Sequence, residues 1–332
     1  MKAGLKHISI LVPRGAASLG CIEGAYKAFT MANDFLVARN KSPGFEVQLV
    51  GIDLDAQVYD HVFKVQPDIS VADLKKTDLV IIPAVNGNWQ ETISINSGFF
   101  PWLRQRYSEG SELASLCVGT FLLGATGLLS GKKCSTHWLA QNDFRKMFPD
   151  VVLLPERIIT DEQGIYSSGG ANSFWNPLIY ILEKYTDREL AVIAAKYFEI
   201  EIDRFSQNAF VMFSGQKAHD DEPVKKAQEF IENNFQDKFS VDQIACMFAL
   251  GRRSLERRFK KATNNTVVEY IRVKIEAAKK SFETSKKNVN EVMYDIGYSD
   301  TKAFRSAFKK ITGLSPLEYK NKYNKEQLAM AG

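Results

Sequence analysis

Apolar residues recur along the first two thirds of the chain in two alternating rhythms. Runs of strand length lie at residues 8–12, 45–50, 79–83 and 112–116. The unbroken Leu79-Val-Ile-Ile-Pro83 predicts a strand covered on both faces. Residues 20–38 place Ile22, Tyr26, Phe29 and Phe35 at helical spacing, and 98–107 and 119–129 also read as helices. Runs at 151–154, 157–160 and 165–168, with a turn at Asp161-Glu-Gln-Gly164, predict further strands; 172–185 and 188–198 predict further helices. Strands interleaved with helices predict an α/β sandwich, a parallel sheet with helices on both faces.

From Val224 onward only the helical rhythm remains. The polar stretch 214–223 ends in Pro223 and follows an apolar run at 209–213, so it predicts a linker between domains 1–217 and 218–332. The second domain repeats itself. Residues 240–263 match 288–312, most closely where Phe259-Lys-Lys-Ala-Thr263 parallels Phe308-Lys-Lys-Ile-Thr312. Each copy opens on a helix N-cap, Ser240 or Asn288. Apolar positions follow at helical spacing: Val241, Ile244, Ala245 and Phe248 in one copy, Val289, Val292, Met293 and Ile296 in the other. After a short turn (Leu250-Gly251; Gly297-Tyr298-Ser299) comes a second helix whose inner face carries Leu255 and Phe259, or Phe304 and Phe308. Asn264 and Gly313 stand where a left-handed residue would end it. Two helix-turn-helix units result, at about 240–263 and 288–312, with an amphipathic helix over 267–283 between them.

Composition sharpens this picture. With 332 residues, 45% hydrophobic and 25% charged, the chain is neither disordered nor a membrane bundle. No apolar run approaches the ~20 residues a bilayer span needs, and the apolar stretch near the N-terminus is too short for a signal-peptide core. A cytoplasmic protein is expected. Cys21, Cys117, Cys134 and Cys246 show no CxxC spacing, and His7, His61, His137 and His219 are scattered, so neither a metal nor another cofactor is expected. The net charge of +4 is unevenly placed. Residues 224–332 hold 22 Lys and Arg against 13 Asp and Glu, a balance of +9; the preceding part holds 21 against 26, or −5.

A basic surface alone fits a solvated helical bundle as well as a polyanion partner. Two copies of one capped unit, each with a basic outer helix, favour duplex DNA. The outer faces carry Arg252, Arg253, Glu256 and Arg257, and Thr301, Lys302, Arg305 and Ser306, suited to a major groove. Lys260, Lys261, Lys309 and Lys310 lie at the helix ends, suited to phosphates. In the first domain, Ser115-Leu-Cys-Val-Gly-Thr120 runs from strand into helix with Cys117 at the bend. A thiol held there is a candidate nucleophile, and the helix dipole would lower its pKa.

Leu116-Cys-Val-Gly119, Gly127-Leu-Leu-Ser-Gly131, Ser135-Thr-His-Trp138 and Phe148-Pro149 resemble the PfpI-type, class I glutamine amidotransferase-like domain, in the version found in GlxA-type regulators. The resemblance covers roughly residues 6–215 and implies a flavodoxin-like sheet. Enzymes of that type carry His after the cysteine, where this chain has Val118, and a carboxylate near the thiol, where it has Cys21. A non-catalytic ligand-sensing or dimerising domain is therefore expected, with Cys21, Cys117, Val118 and His137 as pocket candidates. The alternatives are a cysteine-dependent hydrolase or amidase acting through Cys117 with an accessory nucleic-acid module, and a redox sensor. Residues 224–323 resemble the AraC/XylS-type DNA-binding domain, chiefly through Ile296-Gly-Tyr-Ser-Asp300 and Phe308-Lys-Lys-Ile-Thr-Gly-Leu-Ser-Pro316. The resemblance implies base contacts from Arg253, Glu256, Arg257, Thr301, Lys302 and Ser306, and phosphate contacts from Arg252, Lys260, Lys261, Arg305, Lys309 and Lys310. It further implies a sequence-specific transcriptional regulator and a homodimer, with RNA polymerase as a partner; the position of Cys117 at a ligand-binding sheet edge adds the expectation of a small-molecule effector.

Overall fold

The computed structural model describes residues 4–202, 207, 219–234, 239–263, 266–270, 273–296, 298 and 300–324. It divides into two compact units, Met1–Gln207 and Asn208–Gly332. The expected boundary at 217/218, the apolar run 209–213 and residues 214–218 of the expected linker lie outside the described residues.

In unit 1 the chain runs β1 (Lys6–Leu11), α1 (Leu19–Ala38), β2 (Phe45–Gly51), β3 (Gln57–Tyr59), β4 (Phe63–Val65), β5 (Ile69–Ser70) and β6 (Leu79–Ile82). It continues through α2 (Trp89–Ile95), α3 (Phe99–Ser108), β7 (Glu112–Ser115), α4 (Thr120–Ala125), β8 (Lys133–Cys134) and α5 (Gln141–Met147). β9 (Val152–Leu153), β10 (Ile159–Glu162), β11 (Ile165–Ser168), α6 (Trp175–Tyr185) and α7 (Arg188–Tyr197) complete it. Seven strands form one sheet in the order β10-β11-β7-β6-β1-β2-β5. Six are parallel neighbours, as the buried apolar runs predicted; β10 is not, because it hairpins back antiparallel onto β11. Chain order reverses between β1 and β6, and α/β folds bind ligands at the carboxyl edge beside such a switch.

Several boundaries differ from expectation. β10 begins at Ile159 rather than 157 and absorbs Asp161 and Glu162. Its turn shrinks to Gln163 and Gly164, both at positive φ, the tight geometry a two-residue hairpin requires. The helix expected over 119–129 stops at Ala125, where Gly127 turns left-handed. Tyr26, expected on the inner face of α1, is exposed, and the small residues Ala25, Ala28 and Ala32 are buried instead. The short hairpin β3–β4 and the helices α2 and α5 carry too few periodic positions to have been foreseen.

Unit 2 is helical: α8 (Glu222–Asn233), α9 (Val241–Met247), α10 (Arg252–Thr263), α11 (Val267–Tyr270), α12 (Val273–Thr284), α13 (Val289–Asp295), α14 (Thr301–Thr312) and α15 (Pro316–Tyr323). Glu222 and Pro223, expected in the linker, already form the first turn of α8, because Asp221 caps it and proline is tolerated at a helix start. Ser240 and Asn288 cap α9 and α13, each in a reciprocal capping box. Two separate cores form. One holds Ile244, Ala245, Leu255, Phe259, Val267 and Tyr270; the other holds Ile275, Ala278, Phe282, Val292, Met293, Phe304 and Phe308. The stretch expected as one helix over 267–283 holds α11, in the first core, and α12, in the second, with residues 271–272 outside the described set. Gly313 ends α14 in the left-handed conformation, as expected; Asn264 lies outside the described residues.

In the turn of the first unit, Ala249, just before the expected Leu250-Gly251, is left-handed at φ +53°. The second copy has glycine at the matching position, Gly297, which lies outside the described residues. A Cβ in the left-handed region costs about 1–2 kcal/mol, part of which glycine gives back in unfolded-chain entropy. Ala249→Gly is therefore expected to stabilise the protein by about 1 kcal/mol, read as a higher midpoint in urea unfolding of unit 2. A lower midpoint would show that the turn is not strained.

Candidate functional site

Two places concentrate the chemistry. The first is the outer face of the helical repeat. In α10, Leu255 and Phe259 point fully inward, and the helical period turns Arg253 and Arg257 to solvent. Neither arginine makes an ion pair among the described residues. Arg252 donates to Asp242 (2.9 Å) and Glu256 (3.1 Å), so two of the predicted DNA-contacting side chains already bind one another. Lys260 and Lys261 are exposed at the last turn. In α14, Phe304 and Phe308 are fully buried, and Asp300 caps the helix by accepting from the Lys302 and Ala303 amides. Thr301, Lys302, Arg305, Ser306, Lys309 and Lys310, with Ser315, line one open groove of about 590 Å³. The structure thus brings every predicted DNA residue of the second unit to one surface.

Ser315 was not foreseen as part of this surface, although it stands in the Gly-Leu-Ser-Pro stretch after α14; it caps α15. Arg258 was missed as well. Its guanidinium donates to both carboxylate oxygens of Asp221, at 2.8 and 2.7 Å. That fork ties α10 to the cap of α8 and holds the Asp221 carboxyl below its usual range. Nothing local in the sequence pairs residues 37 apart.

The second place is the bend after β7. Cys117 sits at φ +54°, the left-handed geometry of a nucleophile elbow. Gly119 makes the bend possible: a Cβ there would lie 2.5 Å from the Pro83 carbonyl oxygen and 2.6 Å from that of Ile82. The Cys117 amide donates to Ser168 Oγ (3.1 Å), and its carbonyl accepts from Thr120 Oγ1 (2.9 Å) and Thr136 Oγ1 (3.3 Å). The bend sits next to β6, on the carboxyl side of the sheet near the switch point.

The environment is wrong for a reactive thiol. Burial pushes the Cys117 thiol up to about 12, the neighbouring Cys21 adds to the rise, and the Val118 amide offsets only part. The lowering expected from the helix dipole is overridden, because desolvation of a thiolate outweighs one helix end. Cys21 is buried and raised too, chiefly by desolvation, while a hydrogen bond from Ser18 works against this. Val118 is buried. His137 is half-buried, which lowers its pKa; its Nδ1 accepts from the Leu139 amide (3.1 Å), and its ring stacks on Trp138. Among the described residues no imidazole or carboxylate hydrogen-bonds the Cys117 sulfur. Cys21, Cys117 and Val118 are thus gathered at the elbow, whereas no bond joins His137 to the thiol.

Residues 26–179 match the DJ-1/PfpI family, and residues 244–322 match a helix-turn-helix domain. HTH-type transcriptional regulator GbdR of Pseudomonas aeruginosa is 23% identical over 265 residues, 76% of this chain and 68% of its own. Isonitrile hydratase of Pseudomonas putida is 25% identical over 130 residues, 39% of this chain and 54% of its own. The solved structure of a ThiJ/PfpI family protein from Pseudomonas syringae superposes with a TM-score of 0.51 at 18% identity, covering 61% of this chain and 78% of that one, a likeness of fold. Taken with the repeated units and the elbow, these matches make the chain a DNA-binding transcriptional regulator that joins a DJ-1/PfpI-type domain to an AraC-type helix-turn-helix domain.

Proposed function

We propose that α10 and α14 enter successive major grooves of one duplex, about 34 Å apart along its axis. Arg253, Glu256, Arg257, Thr301, Lys302 and Ser306 then face base edges. Arg252, Lys260, Lys261, Arg305, Lys309 and Lys310 face phosphates. One observation carries this: two 12-residue helices, each locked by a buried pair four residues apart, turn cationic and polar side chains to solvent. Arginine pairs bidentately with guanine, and the lysines supply salt-sensitive affinity. Arg252 exchanges part of its pairing with Asp242 and Glu256 for phosphate when DNA arrives.

Unit 1 acts as a non-catalytic module that senses a small molecule beside the elbow or pairs two chains into a homodimer. An effector shifts DNA binding only if it binds the two arrangements unequally. A promoter-bound dimer of this kind also meets RNA polymerase. The work is done in the cytoplasm; no described helix is long and apolar enough to cross a membrane. The raised thiol and the absence of a base beside it among the described residues support this over a cysteine hydrolase or a peroxide-type redox sensor, both of which need a thiolate.

Two measurements test the proposal. Against a duplex selected from a random pool by the full-length protein, Arg253→Ala is expected to cost roughly 1–3 kcal/mol and to relax base preference at its contact. Unchanged affinity and preference at physiological salt would remove α10 from the groove. Alkylation of Cys117 by iodoacetamide at pH 7 is expected to run roughly three orders of magnitude slower than for a free cysteine, quickening as pH rises toward 12. Rapid labelling at neutral pH, with amide or ester turnover lost in Cys117→Ser, would support the hydrolase instead.

A further inference from the structure

The two recognition helices differ in one charge. Across residues 301–312, α14 carries Lys302, Arg305, Lys309 and Lys310 and no acidic side chain. In α10, Glu256 stands among Arg252, Arg253, Arg257, Arg258, Lys260 and Lys261. It occupies the position of Arg305, since each lies four residues before the closing Lys-Lys pair. A carboxylate there works against a polyanion partner, because it subtracts from the attraction that phosphates supply. As helix support it contributes little. Its pair with Arg252 is exposed, and a cation preceding its anion is the weaker order for residues four apart.

The surroundings of Glu256 fix its aim. Arg252 Nε donates to Glu256 Oε1 at 3.1 Å, and Arg252 Nη1 donates to Asp242 Oδ2, in the first turn of α9, at 2.9 Å. A planar guanidinium gripped by carboxylates from two helices keeps little freedom, and it holds one oxygen of Glu256. The other oxygen, Oε2, takes no bond among the described residues. Residues 253, 256 and 257 are spaced to share one face of α10. That face therefore presents two cationic donors with one acceptor-only group between them.

We infer that Glu256 is a specificity-determining residue that selects cytosine, and that Arg252 is the positioning residue that aims it. Oε2 accepts from the cytosine N4 amine, the group that carboxylates read in the major groove. Guanine offers only acceptors there, thymine an acceptor and a methyl, and adenine an acceptor beside its amine, so each opposes a carboxylate. The attraction that Glu256 forfeits becomes discrimination against those bases. The inference rests on α10 entering the major groove and adds which base that helix demands. On DNA, Arg252 gives up Asp242 for a phosphate and keeps its Nε on Glu256, so a backbone contact orients the base contact. α14, without a carboxylate, attracts DNA and exerts no such exclusion.

The test uses the full-length protein and selection of duplexes from a random pool by the wild type, Glu256→Gln, Glu256→Ala and Arg252→Lys. The wild type is expected to fix cytosine at the position Glu256 reads, and replacing that base should weaken binding about 10-fold or more. Glu256→Gln is expected to move the preference at that position to adenine, which glutamine bonds through N6 and N7, and to leave the other positions alone. Glu256→Ala should accept any base there and bind random DNA more tightly. Arg252→Lys keeps the charge and loses the Nε donor; the salt dependence of binding should hold while the cytosine preference falls several-fold. Selection of the wild-type base by Glu256→Gln, or by Glu256→Ala, would overturn the inference. An undiminished cytosine preference in Arg252→Lys would overturn the aiming role of Arg252. If Arg253→Ala still relaxes base preference while the Glu256 variants change nothing, α10 stays in the groove and this inference alone fails. If neither Arg253→Ala nor the Glu256 variants alter preference, the placement of α10 in the groove fails with it.

Discussion

The arrangement of the DNA-binding unit depends on one stretch of chain being claimed by two cores. Val267 and Tyr270 pack with Leu255 and Phe259, while Ile275, Ala278 and Phe282 pack with Phe304 and Phe308. Each core by itself is small, and small cores bury too little apolar surface to be stable alone. Sharing the stretch supplies each with a helix it would otherwise lack. Each of α10 and α14 leans, through its buried pair, on a helix of this stretch, α10 on α11 and α14 on α12. The positive excess of the unit is then harmless to folding, because Leu255, Phe259, Phe304 and Phe308 take the inner face and leave the cations in water.

At the elbow, two opposing effects meet and their sizes decide the outcome. A helix end favours a thiolate by about 0.3–1 kcal/mol. Each pKa unit is worth about 1.4 kcal/mol, and full burial moves a group by several units. Desolvation therefore wins, and Cys117 is held as a neutral thiol. The left-handed bend persists because the hydroxyls of Ser168, Thr120 and Thr136 bond its backbone. Such strain survives only where the surroundings over-determine it. The same geometry that could expose a nucleophile serves here to fasten the bend to neighbouring loops. The likeness in fold to a ThiJ/PfpI family protein is compatible with this, since one fold carries many chemistries and the site decides between them.

Much of this protein was legible in its sequence, and the legible parts share a cause. Helix periodicity, the caps at Ser240 and Asn288, the left-handed stop at Gly313 and the repeat itself are set by residues within a few positions of one another. So were the buried strands of the sheet and the bend at Cys117. Local rules sufficed because each element is stabilised by its own spacing and ends. The tertiary structure decided the rest. It reversed β10, placed Ala249 in the left-handed region, joined Arg258 to Asp221 across 37 positions, and seated Gln207 against Thr136 across 71. It also set the state of Cys117, since desolvation depends on what packs around an atom and no pattern along the chain counts those neighbours.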